Sequence, residues 1–331
     1  MNQVLCPGEL LIDFISEENG KSLSEVALFG KKAGGAPANA AAAINKFGGK
    51  ALFAGAVGRD AFGDFLIDTL KKYNLSGELV KRSKKNTTLA FVSLDENGER
   101  SFEFMRGADE SLDLADIPEK VSGETEVFHF ASATAFLGGK LEKTCLQLLD
   151  LAKQKSKLIS FDPNYREALF EGREVEFRKK SKEFVAVADI VKVSEEEAEL
   201  LTERADPKEA AQELLRIGAK NILVTLGEQG TLLVSKNQQE VIPSIQVKMV
   251  DATGAGDAFI GALLGQLASQ NQKSFLEGAG NFNRELLNFE NLKVLVARAN
   301  VAAALTVTKK GALESIPSEK EVRAKMGNKQ F

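Results

Sequence analysis

The stretch Asp251-Ala-Thr-Gly-Ala-Gly-Asp257 sets two carboxylates around three small residues, Gly254, Ala255 and Gly256. It runs into residues 258–267, where Phe259, Ile260, Leu263, Leu264 and Leu267 follow a helical period. A Gly-rich turn that opens a helix leaves several backbone N–H groups unpaired and pointing one way. The helix dipole adds partial positive charge there, so the turn is an anion cradle. A carboxylate at such a cradle repels an anion, unless its task is to take a proton from a hydroxyl attacking a phosphate. Asp257 suits that role. The plainer reading is an acidic residue in a first helical turn, where Asp is favoured anyway. The rest of the chain has to separate the two.

Other residues could join this chemistry. Asp13 interrupts an apolar run read as one strand over residues 4–15, and an acid there is costly unless paired or liganded. Gly34-Gly35 lets backbone approach a ligand closely. Asn39, on the first turn of an Ala-rich helix over residues 40–47, offers donor and acceptor together, which suits a pair of hydroxyls. Asp162-Pro-Asn-Tyr-Arg166, Ser194-Glu-Glu-Glu197 and Thr225-Leu-Gly-Glu-Gln-Gly230 each close a strand, and parallel sheets bind ligands at such ends. Converging Asn, Arg, Glu and Gly-rich backbone suits a nucleotide triphosphate with Mg²⁺. Neither G-x-x-x-x-G-K-[ST] nor G-x-G-x-x-G occurs.

The elements that must hold these residues alternate. Strands over residues 51–57, 127–131, 158–162, 190–193, 221–226 and 231–235 are interspersed with helical patterns over 64–73, 141–153, 195–201 and 207–217. This predicts an α/β fold with a mostly parallel sheet flanked by helices. Residues 24–32 read as a strand. Residues 87–94 and 100–105 read as a hairpin around the turn Asp95-Glu-Asn-Gly98, with Phe102 and Phe104 on one face. This antiparallel material does not fit the main sheet. It predicts a small β layer built from about 9–33 and 86–107 within one domain spanning 1–331. Residues 269–293, polar and Asn-rich, read as a long loop or surface insert.

Composition narrows the function. The chain has 331 residues, a formal net charge of −4 and ordinary hydrophobic content of 44%. There is no basic footprint for nucleic acid or an anionic membrane. No apolar run is long enough to span a bilayer, and residues 1–14 lack a signal-peptide pattern. Two cysteines, Cys6 and Cys145, make no disulfide framework, which points to a reducing cytoplasm. A single histidine, His129, argues against a His/Cys metal site or a Ser-His-Asp triad, and reads as a satisfied strand-end residue.

These motifs carry a resemblance along the whole chain to the ribokinase-like carbohydrate kinases, the PfkB family. Residues 34–58 resemble the family's N-terminal signature. Asp251-Ala-Thr-Gly-Ala-Gly-Asp257 resembles its C-terminal signature, whose second Asp is the catalytic base. The resemblance implies that Asp13, Gly34, Gly35 and Asn39 bind a sugar, and that residues 253–257 form an anion hole for the transferring γ-phosphate. It matches Glu197 to an acid of an Asn-x-x-Glu motif that engages Mg²⁺ through water and phosphate, with Ser194 standing where the Asn would be. It places Asn164, Ser194, Thr225, Gly227, Gly230 and Asn300 around ATP. Lys309-Lys-Gly-Ala-Leu-Glu-Ser-Ile-Pro317 resembles a C-terminal loop that holds a monovalent cation such as K⁺ in many members, here with Asp251, Thr253 and Ser315.

Within the family, Arg100-Ser-Phe-Glu-Phe-Met-Arg106, the following Gly-Ala-Asp109 and Asp162-Pro-Asn-Tyr-Arg166 are similar to fructokinases. Kinases of 2-keto-3-deoxygluconate share the two-Arg pattern, using arginine against a carboxylate, so Arg106 and Arg166 fit either sugar. The Ala108-Asp109 pair favours fructose. The exposed β edge of the small layer invites a homodimer. A non-catalytic sugar or nucleotide sensor on the same fold is the reading of another class.

Overall fold

The alternating apolar stretches form thirteen strands and eleven α-helices in the computed structural model, which describes residues 3–18, 20–94, 100–276 and 282–327. In chain order they are β1 (Gln3–Pro7), β2 (Leu11–Ser16), β3 (Phe29–Gly34), α1 (Ala36–Lys46), β4 (Lys50–Gly58), α2 (Ala61–Lys72), β5 (Val80–Ser83), β6 (Leu89–Leu94) and β7 (Arg100–Met105). Then come α3 (Glu119–Glu124), β8 (Thr125–Phe130), α4 (Gly139–Gln154), β9 (Leu158–Phe161), α5 (Glu167–Phe170), α6 (Glu174–Val185), β10 (Ile190–Ser194), α7 (Glu195–Thr202), α8 (Pro207–Ile217) and β11 (Asn221–Thr225). The chain ends with β12 (Thr231–Ser235), β13 (Gln238–Ile242), α9 (Ala255–Leu276), α10 (Phe289–Thr306) and α11 (Glu319–Met326).

Nine strands form one sheet in the order β13-β12-β11-β10-β9-β8-β1-β4-β5. It is parallel from β11 to β5, and antiparallel through β11, β12 and β13. Helices cover both faces, which is why its strands read as apolar runs rather than alternating ones. One core contains Phe47 at the end of α1, Phe259 and Leu263 of α9, and Leu295 of α10. The other contains Phe136, Phe177, Phe184 and Leu214. Each fully buried Leu or Phe contributes roughly 1.5–3 kcal/mol of transfer free energy.

The contact between α1 and α9 decides where the site forms. A Cβ on Gly261 would lie 2.4 Å from Ala43 Cβ, and one on Gly265 2.6 Å from the Ile44 carbonyl. The two helices therefore pack nearly backbone to backbone, with alanine from one side and glycine from the other.

The second sheet has four strands in the order β3-β2-β6-β7. Cross-strand register puts Asp13, Ala90 and Phe104 on one face, together with Ile15, Val92 and Phe102. Phe102 and Phe104 stack there, 6.1 Å apart. On the other face Phe14 stacks on Phe91 at 5.0 Å and meets Phe62 of α2 edge-on.

Several sequence expectations need correction. Residues 4–15 are two strands in two sheets, because the chain turns out of the main sheet at Gly8, where a Cβ would lie 2.4 Å from Pro37 Cγ. The strand expected over 24–32 begins only at Phe29. The helix expected over 258–267 starts at Ala255 and continues to Leu276. The two ends of 269–293 are thus helix rather than insert: α9 occupies 269–276 and α10 begins at Phe289, while residues 277–281 lie outside the described residues. There Asn288 caps α10 through its side chain, and buried Asn271 accepts from the Asn283 N–H. Asparagine served as cap and tie, which composition alone reads as loop. His129 is fully buried, with Nδ1 on Ser160 Oγ at 3.0 Å and Nε2 unpartnered, so it is satisfied at one nitrogen only. The turn at 95–98 lies outside the described residues.

Candidate active site

The signature loop ends in the first turn of α9, which contains Ala255, Gly256 and Asp257. Gly254 precedes it at φ +79°, a left-handed conformation, and a Cβ there would lie 2.7 Å from Ala312 Cβ. Asp257 is 8% exposed. Its Oδ2 accepts a 2.8 Å hydrogen bond from Asn39 Nδ2, in the first turn of α1. Burial pushes the Asp257 carboxyl up to about 6; the Asn39 bond opposes this, the charge of Asp162 adds to it, and Arg166 and Lys192 pull it down. Asn39 Oδ1 is buried with no partner, an acceptor still to be filled.

Asp13 joins this pair. Its residue keeps some exposure, yet burial of the carboxyl raises its pKa to about 6, against the pull of Arg166 and with a push from Asp257. Gly34 gives it room: a Cβ at 34 would lie 2.0 Å from Asp13 Oδ2. Gly35, at φ +117°, caps α1, and a Cβ there would strike the Glu9 carbonyl at 2.4 Å. Glu9 was not anticipated. It is buried, accepts from Ala36 N at 3.1 Å and from Ser132 Oγ, and so fixes the start of α1; burial lifts its pKa to about 7.

The two arginines separate. Arg166 is exposed and its charge reaches both Asp13 and Asp257. Arg106 is tied down: Nε donates to Asp109, Nη1 to the Leu137 carbonyl at 2.7 Å, and Nη2 to the carbonyls of Thr134 and Gly138 at 3.2 and 2.9 Å. Asp109 is fully buried and also accepts from Thr88 Oγ1. The Arg106 fork therefore fastens the end of β7 to the segment after β8. This differs from the expectation of an arginine extended toward a sugar.

Below Asp257 lies a buried ion pair that sequence reasoning missed: Lys192 Nζ to Asp162 Oδ2 at 3.0 Å. The signal was legible, a lysine inside the strand sequence Ile190-Val-Lys-Val-Ser194, by the rule that had flagged Asp13. Asp162 Oδ1 also accepts from Asn164 N at 3.2 Å, and Asn164, at φ +48°, donates from Nδ2 to the Ala131 carbonyl. Ser194 and Glu197 form a capping box on α7, the hydroxyl accepting from Glu197 N and Glu197 Oε2 from Ser194 N. Glu197 Oε1 accepts from Tyr165 N at 2.8 Å. Burial pushes the Glu197 pKa up while Lys192 draws it back.

Beside the start of α9 is a cleft of about 440 Å³. Thr225, Gly227, Gly230, Gly256 and Asn300, which the resemblance places around ATP, line it. Residues 244–247, Met249, Phe259 and Val307 also contribute and had not been foreseen. Asn300 is not free to read a ligand with its amide: Nδ2 donates to the Ile242 carbonyl at 2.8 Å and Oδ1 accepts from Thr231 Oγ1 at 2.6 Å. On the other side of the signature, Asp251 Oδ1 accepts from Thr253 N and Oγ1, and Oδ2 from Gly311 N at 2.9 Å. That bond seats the 309–315 loop on the signature, with Ser315 Oγ donating to the Lys310 carbonyl.

Comparison with known proteins agrees with this geometry. Residues 1–319 match the model of the pfkB family carbohydrate kinases. Fructokinase-1 of Oryza sativa subsp. japonica is 40% identical over 319 residues, which span 95% of this chain and 94% of that protein. Probable fructokinase-2 of Arabidopsis thaliana is 38% identical over 320 residues, 95% of this chain and 92% of that one. Among solved structures, fructokinase with bound ATP from Xylella fastidiosa superposes with a TM-score of 0.84 at 29% identity, covering 98% of both chains. Fructokinase from Vibrio cholerae O395, with fructose, ADP and calcium bound, gives 0.81 at 32% identity, again covering 98% of both. With a C-terminal signature that places a buried carboxylate at a helix start beside a nucleotide-sized cleft, the chain belongs to the pfkB family of carbohydrate kinases.

Proposed function

We propose that this protein is an ATP-dependent fructokinase that phosphorylates the primary hydroxyl of fructose to give fructose 6-phosphate. The observation that carries the mechanism is the buried Asp257 carboxylate, held by Asn39 and next in the chain to Gly256, which lines the cleft of about 440 Å³. Asp257 takes the proton of the attacking hydroxyl. The N–H groups of Gly254, Gly256 and Asp257 hold charge on the transferring phosphoryl group, while that of Ala255 closes the turn on the Ala252 carbonyl. Asp13, Asn39 and Arg166 orient the sugar, with Gly34 and Gly35 allowing close approach, and the cleft lined by Thr225, Gly227 and Gly230 takes the nucleotide. The four-stranded sheet serves as a lid over the sugar, since Asp13 projects from it toward Asp257.

Neutral sugar is favoured over the 2-keto acid by charge. Arg166 already faces two carboxylates, Asp13 and Asp257, and Arg106 is engaged by Asp109 and three carbonyls. Neither guanidinium stands ready for a substrate carboxylate.

The acids fit a magnesium ion carried on nucleotide phosphates better than one caged by protein, because both Glu197 oxygens already accept backbone N–H groups. Glu197 would hold it through water, and the ion would supply charge neutralisation on the phosphates. Asp251 and Thr253 are joined to the 309–315 loop through Gly311, and with Ser315 of that loop they would offer oxygens to a monovalent cation such as K⁺. A homodimer through the lid would cover the half-exposed Ile15, Val92, Phe102 and Phe104. No helix among the described residues is long and apolar enough to cross a membrane; a cytoplasmic location is our reading.

The test is coupled ADP release with MgATP against fructose, 2-keto-3-deoxygluconate, ribose and adenosine, with and without K⁺. Turnover on fructose is expected. Turnover confined to the keto acid would reassign the sugar, and none on any substrate would favour the sensor reading.

A further inference from the structure

Lys192 is the one buried lysine at this site for which the preceding chemistry has no use. It is 7% exposed, on a strand of the central sheet, with Ile190 two residues earlier in the core shared by α1 and α9. Its ammonium stands 3.0 Å from Asp162 Oδ2 and 2.8 Å from where a Cβ on Gly256 would be. Gly256 has no positive φ to explain it. A side chain at 256 would have to displace the lysine head. The ammonium thus abuts the backbone of the first turn of α9, where the anion cradle lies. Asp162 accounts for one of its three N–H donors.

Burial alone would lower the lysine's pKa, but the carboxylates of Asp162, Glu197 and Asp257 outweigh that and hold it above the usual value. Lys192 is therefore a fixed, desolvated positive charge. Burying an ammonium costs several kcal/mol unless it is paired. Yet Asp162 by itself would be served by a neutral partner, and a buried ion pair is weak evidence for stability alone.

We propose that Lys192 is a catalytic residue of the phosphoryl transfer, donating to an oxygen of the transferring γ-phosphate from beneath Gly256; this rests on the kinase reading above. In the step, Asp257 receives the hydroxyl proton, the sugar oxygen bonds to phosphorus, and the bond from phosphorus to the bridging oxygen of ADP breaks. Lys192 keeps its proton throughout and neutralises charge on the moving group. Asp162 holds it in place.

The test compares wild type, Lys192→Met and the double variant Asp162→Asn/Lys192→Met. Calorimetric binding of MgATP and MgADP without sugar is measured alongside kcat. Lys192→Met should lose ATP affinity roughly 10- to 100-fold while ADP affinity stays within a few-fold, the weight of one charge-assisted hydrogen bond. Its kcat should fall about 10²- to 10³-fold, as for loss of one preorganised donor. If Lys192 only compensated Asp162, the double variant would recover both; the proposal requires that it recover neither. The double variant also carries the test if Lys192→Met fails to fold, since it removes both charges together. Unchanged ATP-over-ADP preference in Lys192→Met, or recovery in the double variant, overturns the proposal. Wild type that binds neither nucleotide overturns the kinase reading and this inference with it.

Discussion

Asn39 Nδ2 donates to Asp257 Oδ2 at 2.8 Å, joining the first turns of two helices whose residues lie 218 positions apart in the chain. The bond selects the carboxylate rotamer and stabilises the ionised form, the form a base needs. Asp257→Asn should lower kcat by about 10²- to 10⁴-fold with nucleotide binding retained. Full activity in that variant would remove Asp257 from the role of base.

The same pair makes a pH prediction. A base at Asp257 must act as a carboxylate, so on the proposed mechanism kcat/KM should fall as pH drops through about 6. Asn39→Ala removes a bond that favours ionisation, so this acid limb should move to higher pH. A pH–rate series on both proteins checks it; an unmoved limb would mean that the bond does not tune the base.

Stability should run the other way. Burial pushes Asp257 up to about 6 in the folded protein, against about 3.9 for an unperturbed aspartate. Between these values the folded state binds more protons than the unfolded, so this group's contribution is present below pH 4 and is lost as pH rises through 6. Asp257→Asn should therefore stabilise the protein at pH 7 by about 1–3 kcal/mol, and not at pH 4. Urea unfolding at the two pH values measures the difference.

Arg166 and Arg106 should respond differently to replacement by Ala. For exposed Arg166, KM for the sugar should rise roughly tenfold or more, with Tm unchanged. For Arg106, three carbonyls and the buried Asp109 lose their donor, and stability should fall by about 3 kcal/mol. Thermal melts beside sugar kinetics would expose an inverted assignment.

At the α7 capping box, Ser194→Ala should cost about 1 kcal/mol in denaturant unfolding and leave kcat nearly intact. Glu197→Gln should be worse on both counts. Its amide NH₂ would face one of the two backbone donors that the carboxylate now accepts, and a higher magnesium concentration should be needed for half-maximal rate. A magnesium titration that is identical in both variants would detach Glu197 from the ion.

Much of this site was legible in the chain. The small residues before Asp257 can only form a tight turn, and the apolar period after them requires a helix, so a carboxylate at a helix start follows from local chemistry. Asp13 was legible because a charge inside an apolar strand demands a partner. Lys192 carried the same mark and was passed over, since a lysine near a strand end is usually solvated.

Other outcomes depended on contacts that no local pattern encodes. The break between β1 and β2 falls at Gly8, where Pro37 and Ser132 leave no room for a side chain. The roles of Arg106 and Asn300 came from carbonyls of distant segments that consume their donors. A sequence states which groups a chain owns and how its segments curl. Which acceptor each donor meets is decided by packing, because hydrogen bonds act over about 3 Å while the glycines of α9 and alanines of α1 bring Asn39 to Asp257 across most of the chain.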